Sequence, residues 1–145
     1  MKRSVVIRKA EISATLSVPP SEGKRLLEPF ASFAKKHQLP FSLLEDTNIE
    51  NDAEVHTEDG DLWLCLEGEP TFTVGGTLLN PSAKKRADGS LDEHEWKGKE
   101  IESGEIITLY PGDWLWIPAG QPHQHRCKGT ARLVIIKIPG AKGKS

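Results

Sequence analysis

The chain has 145 residues, 37% of them hydrophobic and 28% charged, with a formal net charge of −2 at pH 7. A length of this order fits one domain, 1–145. The near-neutral charge, with no basic stripe, argues against a nucleic-acid partner, and no apolar run approaches the roughly 20 residues of a membrane span.

The segment Met1 to Arg8 is positively charged but lacks the apolar core of a signal peptide. Val5-Val6-Ile7 and Glu11 to Val18 read as short strands. In the second, Ile12, Ala14, Leu16 and Val18 alternate with polar residues until Pro19-Pro20 stops the run. Such a segment offers an edge on which a neighbouring copy can add. A turn follows near Ser21–Leu27, then a short helix from about Pro29 to His37. Phe30, Phe33 and Ala34 share a face there, and proline is accommodated in a first helical turn.

From Pro40 onward the signals are β. Phe41–Leu44, Ala53–His56, Leu62–Leu66, Thr71–Val74, Ile106–Tyr110, Trp114–Ile117, His123–Cys127 and Arg132–Ile138 are short runs. They are punctuated by Asp59-Gly60, Gly68, Gly75-Gly76, Pro111-Gly112, Pro118–Gly120 and Lys128-Gly129. Many short strands with Gly/Pro turns predict a sandwich or barrel over about 41–138, with 5–37 as its N-terminal flank. Residues 80–105 form a long polar excursion with Asp88-Gly89 as a hairpin tip. Lys84-Lys85-Arg86 lies in it as a solvated run. Pro139 to Ser145 reads as a loose tail. Cys65 and Cys127 fall in strand-like runs and read as reduced, buried thiols of a cytoplasmic protein, with a disulfide as the alternative.

Residues two apart on a strand share a face. Glu54 and His56 therefore point together, as do Asp61, Trp63 and Cys65, then His123, His125 and Cys127, and Trp114 with Trp116. One reading makes Glu54, Glu58, Asp59 and Asp61 an ordinary acidic loop and the histidines polar strand residues. Spacing supports another. Gly112, Pro118, Gly120 and His123 follow G-x5-P-x-G-x2-H, and Glu54, His56, Asp61 and Gly68 keep the spacing of G-x5-H-x-H-x4-E-x6-G, with Asn48 where that pattern opens on Gly. The first pattern resembles the second motif of the cupin superfamily at every fixed position through its His. Cys127 stands where the family's following Asn would be. The second pattern resembles the first cupin motif with Glu54 for its first His and Asp61 for its Glu.

The resemblance, to small single-domain cupins of bacterial type, implies an all-β fold, a double-stranded β-helix (jelly-roll) barrel with a short N-terminal helix. It also implies a metal site made by Glu54, His56, Asp61 and His123. Two imidazoles with carboxylates suit a divalent ion such as Fe, Mn, Ni, Co or Zn. Asp61, one methylene shorter than Glu, binds the ion directly, through water, or instead holds an imidazole N–H. His125 is either a proton carrier or a strand hydrogen-bonding residue. Glu54, if not a ligand, is a second proton carrier. Gln121, Trp63, Cys65 and Cys127 are candidate pocket residues. Trp63, Trp114 and Trp116 divide between pocket wall and core, with at least two expected in the core. His94 reads as a surface residue.

The resemblance implies a small-molecule ligand and, since small cupins commonly pair, a homodimer built through the Val5–Val18 edge; charge and hydropathy argue against nucleic-acid and membrane partners. The reading preferred here is metal-dependent proton transfer on a small polar metabolite, a sugar or organic acid, as in isomerisation or lysis. The alternatives are a non-haem iron dioxygenase, and a non-catalytic binding or metal-free structural barrel, since fold alone does not settle function.

Overall fold

The computed structural model describes residues 3–140. Two helices, α1 (Lys9–Leu16) and α2 (Phe30–Lys36), accompany twelve strands: β1 (Gly23–Leu26), β2 (Phe41–Glu50), β3 (Ala53–His56), β4 (Asp59–Glu67), β5 (Thr71–Val74), β6 (Thr77–Leu78), β7 (Ser82–Lys85), β8 (Leu91–Gly98), β9 (Ile101–Glu102), β10 (Glu105–Thr108), β11 (Trp114–Ile117) and β12 (His123–Pro139). The class is all-β. Among the described residues, no helix is long and apolar enough to cross a membrane.

β12 is the organising strand. Along one edge it pairs antiparallel with β2 and, at His123, with β3. Along the other it pairs with β5 and then β4. The runs expected as separate strands, His123–Cys127 and Arg132–Ile138, are thus one strand. Its register shifts between Cys127 and Thr130, where Gly129 takes φ +74. The bulge bends the strand and lets its two halves serve different partners. Gly68 faces this bend, and a side chain there would strike the Thr130 carbonyl. The ladders branch at β12 and do not close into a ring.

Inward-facing residues of β2, β4, β5, β11 and β12 make one core, including Leu44, Trp63, Phe72, Ile117, Leu133 and Ile135. A second core lies on the outer face, where Leu27, Phe30, Ala34 and Leu43 pack with Ile12 and Leu16. The polar excursion is a β7–β8 hairpin whose β8 also pairs with β3. Asp59-Gly60 opens β4 instead of turning the chain. Pro139 ends β12, and residues 141–145 lie outside the described residues.

The N-terminal flank departs from expectation. Val5 to Ile7 joins no ladder, and Lys9–Leu16 is a helix. Ile12 and Leu16 satisfy a period of two, but they are also four apart and so share a helix face. Tertiary contacts decide between the readings. Thr15 is fully buried, and its Oγ1 accepts the Phe30 N–H at 3.2 Å. Arg132 donates to the Leu16 carbonyl at 2.6 Å and to the Val18 carbonyl. The strand on which the homodimer expectation stood is therefore absent. Gly23–Leu26, expected as a turn, is an edge strand on β2.

Arg132 lies opposite Glu45 across the β2–β12 ladder. Its Nε donates to Glu45 Oε2 at 2.9 Å, and Arg25 Nε donates to Oε1 at 2.8 Å. Glu45 is fully buried. Burial pushes its pKa up, but hydrogen bonds from Arg25, Arg132 and the Ser21 N–H outweigh that and hold the carboxyl below its ordinary range. Its stabilisation is present above the unfolded carboxylate pKa of about 4.3 and is lost as pH falls through the lower folded value. Glu45→Gln leaves the buried Arg132 with only the half-exposed Glu67 carboxylate at 3.9 Å and should cost about 3 kcal/mol in denaturant unfolding. A loss under about 1 kcal/mol would show that the pair does not tie the N-terminal layer down.

Candidate metal centre

The β-ladders bring four side chains to one end of the interior. Glu54 and His56 come from β3, Asp61 from β4 and His123 from the start of β12. His123 is in register with Glu54, and Lys137, near the other end of β12, with Asp61. The turn before His123 is tied to the other histidine's strand, because the Gly120 N–H donates to the His56 carbonyl at 2.8 Å. Gly120 has φ +85, a conformation glycine adopts without a Cβ clash.

The imidazole rings of His56 and His123 lie 4.9 Å apart between centroids. Each has its Nδ1 engaged. His56 Nδ1 donates to Glu95 on β8, 2.7 Å from Oε1, and His123 Nδ1 donates to the Gln121 carbonyl at 3.1 Å. Both Nε2 atoms are left facing inward. Glu54 Oε2 is 3.3 Å from His56 Nε2. Asp61 Oδ2 is 3.4 Å from His123 Nε2 and 3.7 Å from His56 Nε2. One ligand atom each from Glu54, His56 and His123 lies within 4.8 Å of the other two.

Asp61 Oδ1 accepts from Lys137 Nζ at 2.7 Å, but the buried Oδ2 has no hydrogen-bond partner. When His56 is neutral, with each imidazole proton on Nδ1, two imidazole lone pairs and two carboxylate oxygens converge here. Such a set is stabilised by a cation at its centre, so the residues fit a divalent metal ion.

Solved structures share this architecture, whereas no family model and no curated protein matches the sequence. Protein NMB1881 from Neisseria meningitidis aligns at TM-score 0.52 and 14% identity, over 91% of this chain and 99% of that one. The Drosophila melanogaster CENP-C "cumin domain" aligns at TM-score 0.50 and 10% identity, over 92% of this chain and 84% of that one. This chain has the cupin fold. The EutQ protein of Clostridium difficile is also similar, at TM-score 0.43 and 13% identity, with 69% of this chain covered; the match spans only 56% of that protein. At these identities the likeness concerns fold alone.

Charge in this site is set by the same contacts. Burial opposes ionisation of Glu54, but the hydrogen bond and charge of His56, together with Lys24 and His123, hold its pKa down at about 2. Burial also disfavours protonated His56. Hydrogen bonding to Glu54 and the Asp61 and Glu95 charges outweigh both that and Lys137, so its pKa is raised. His123 falls to about 4, through burial first and the neighbouring His56 charge, against the pull of Asp61.

His125, two residues along β12, is held at Nδ1 by Asp46 Oδ2 at 2.5 Å. Asn51 Nδ2 donates to the same carboxylate oxygen at 3.2 Å and to the His125 carbonyl at 3.1 Å. The His125 ring packs between Trp63 and Phe72, at centroid distances of 5.0 and 5.5 Å. Its Nε2 has no hydrogen-bond partner among the described residues.

A cavity of about 1060 Å³ reaches Glu54, His56, Asp61, Trp63, His123 and His125. The other pocket expectations need correction. Gln121 meets the site through its carbonyl on His123 and does not line the cavity. Cys65 and Cys127 are buried free thiols outside the lining. The Cys65 Sγ turns to the Glu67 and Gly68 carbonyls, and burial raises its pKa to about 11. Cys127 sits at the β12 bulge, past the cavity floor. Trp114 and Trp116 are 58% and 45% exposed, so only Trp63 of the three tryptophans joins the core. The register explains this. Leu115 lies opposite Trp63 and Ile117 opposite Asp61, so the tryptophans point outward. His94 is exposed beside Glu58.

Glu95, Lys137, Lys24 and Asp46 are the contributors that sequence reasoning missed. Lys137 carried a readable signal, as the one charge in the apolar run Leu133–Ile138. Glu95 carried none, because only the β3–β8 pairing separates it from Glu93. Glu95→Gln should weaken divalent-metal binding about 10–100-fold by competition titration, with circular dichroism unchanged. Because His56 must lose its proton to become a ligand, metal affinity should fall as pH drops through its raised pKa. An affinity flat from pH 8 to pH 5 would contradict the assigned tautomers.

Proposed function

We propose that this cupin-fold chain binds a divalent first-row metal through Glu54, His56 and His123, with Asp61 beside them, and is an enzyme that moves a proton on a small polar metabolite, a sugar or organic acid, in an isomerisation or lysis. The observation that supports it best is the convergence of Glu54, His56 and His123 ligand atoms beside the partnerless, buried Asp61 Oδ2. Fe, Mn, Ni, Co and Zn all accept such ligands.

A bound ion of this kind polarises a carbonyl or carboxylate oxygen and stabilises negative charge developing beside it. The chain's own residues do the rest. Glu95 and the Gln121 carbonyl orient the two imidazoles. Lys137 Nζ donates to Asp61 Oδ1 at 2.7 Å and fixes the orientation of that carboxylate. Leu44, Trp63 and Ile135 exclude water from the floor. Asp46 fixes the proton of His125 on Nδ1, which leaves Nε2 as an acceptor at the cavity surface, suited to take a proton from a bound molecule and return it. Two free, buried thiols support a reducing, cytoplasmic setting.

A second reading, an iron-dependent dioxygenase, draws support from the two-histidine, one-carboxylate composition of the ligand group.

The test of the preferred reading is solvent exchange. Metal-loaded protein in D2O, given a panel of 2-oxo and 2-hydroxy acids and reducing sugars, should introduce deuterium beside the carbonyl or hydroxyl of at least one compound. His125→Ala should slow that exchange by about 10²–10⁴-fold. Oxygen consumption without exchange would favour the dioxygenase. Exchange undiminished by His125→Ala would remove that residue from the chemistry.

A further inference from the structure

The cavity ending at Glu54, His56 and His123 is poorly matched to a very small, wholly polar molecule. Its volume of about 1060 Å³ lies at the top of the range of about 300–1,000 Å³ common for small-molecule sites. Its wall is divided. The charged groups Glu54, Asp61 and Lys137 gather with the histidines at one end. Beyond them come Leu44, Trp63 and Ile135, then Leu26 on β1, which is paired with Leu44. Leu26 is 51% exposed although it faces this groove. A two- or three-carbon acid would leave water against that apolar wall, which is unfavourable compared with covering it.

Charge selects the other half of the ligand. Lys137 neutralises Asp61. Glu54 and Glu95 are outweighed by a divalent ion together with Lys24, whose charge reaches Glu54 and which forms no ion pair among the described residues. With the buried Asp46 carboxylate behind His125 counted as well, a bound ion with Lys24 and Lys137 balances the inner end, and the ion itself is the centre there that takes an acid oxygen. At the far rim, Glu28 is tied to Ser32 on α2, and Lys35 stands near it.

We propose that the ligand of this site is an amphipathic monocarboxylate. Its acid group lies at the Glu54–His56–His123 end, and its hydrocarbon body runs along Leu44, Ile135 and Leu26. This rests on the metal reading given above, and it narrows the substrate from polar metabolites in general to acids that carry an apolar body.

The test is calorimetric titration of metal-loaded protein with octanoate, acetate and octan-1-ol, with metal content measured on the same sample. Octanoate should bind about tenfold or more tightly than acetate, the effect of covering roughly two methylenes. It should exceed octan-1-ol by a similar factor because of the carboxylate. Leu26→Asp, a change at an exposed position, should weaken octanoate about tenfold and leave acetate unchanged. Metal-loaded protein that binds octanoate no better than acetate, or no better than octan-1-ol, overturns this inference and leaves the metal reading standing. Octanoate binding indifferent to Leu26→Asp overturns the assigned path. Protein that takes up no metal overturns both.

Discussion

His123 faces Glu54, and Lys137 faces Asp61, because one strand of 17 residues fixes both pairings at once. β12 is paired along both edges by four different strands, and every other part of the molecule is placed with respect to it. A slip of one residue on any of these ladders would turn the inward row outward and disperse the site. The bulge at Gly129 allows a single strand to hold two sets of partners. Asn48 supports that bend from β2. It stands where the cupin pattern opens on glycine, and it adopts φ +48, a region that Asn tolerates better than most residues. Its Oδ1 accepts the Gly129 N–H at 2.7 Å. Asn48 thus takes a left-handed conformation and adds a bond across to the bulge.

The same pair of strands separates two kinds of electrostatics. Glu45 and Asp46 are consecutive on β2, so they point to opposite faces. Glu45 meets Arg132 and Arg25 on the outer face and secures the N-terminal layer. Asp46 meets His125 on the inner face, at the cavity floor. Both carboxylates are fully buried, and burying a charge is costly unless it is paired. The outer pair explains how a helix with few burying residues stays docked. The inner pair explains why a histidine surrounded by aromatic rings keeps one tautomer. Structure and chemistry therefore share a backbone but use opposite faces of it.

Much of this was legible in the residues. Strands β3, β5 and β11 have the bounds that alternation and turn residues predict, and His56, His123, Glu54 and Asp61 meet as the motif spacing implies. Parity also identified His125 as inward-facing. The failures share a cause. Local pattern cannot state which neighbour an element will find. Ile12 and Leu16 fit a strand and a helix equally well, and contacts with Arg132 and Phe30 select the helix. At least two of Trp63, Trp114 and Trp116 were expected in the core, but the register of β11 with β4 points Leu115 and Ile117 inward and leaves Trp63 there alone of the three. Cys65 shares a face with Trp63, yet lies beyond the cavity, because parity gives direction and not depth. Glu95 was invisible for a related reason: its role arises from a strand pairing almost 40 residues away in sequence.

The central claim is that Glu54, His56 and His123 form a metal-binding group on this register. It is tested most directly by the metal content, by plasma mass spectrometry, of protein purified without a metal-chelating tag, beside His56→Ala and His123→Ala. The account predicts near-stoichiometric metal in the unaltered chain and its loss in both variants, with the fold retained. Protein that stays empty when offered Fe, Mn, Ni, Co and Zn, or variants that keep the metal, would contradict it.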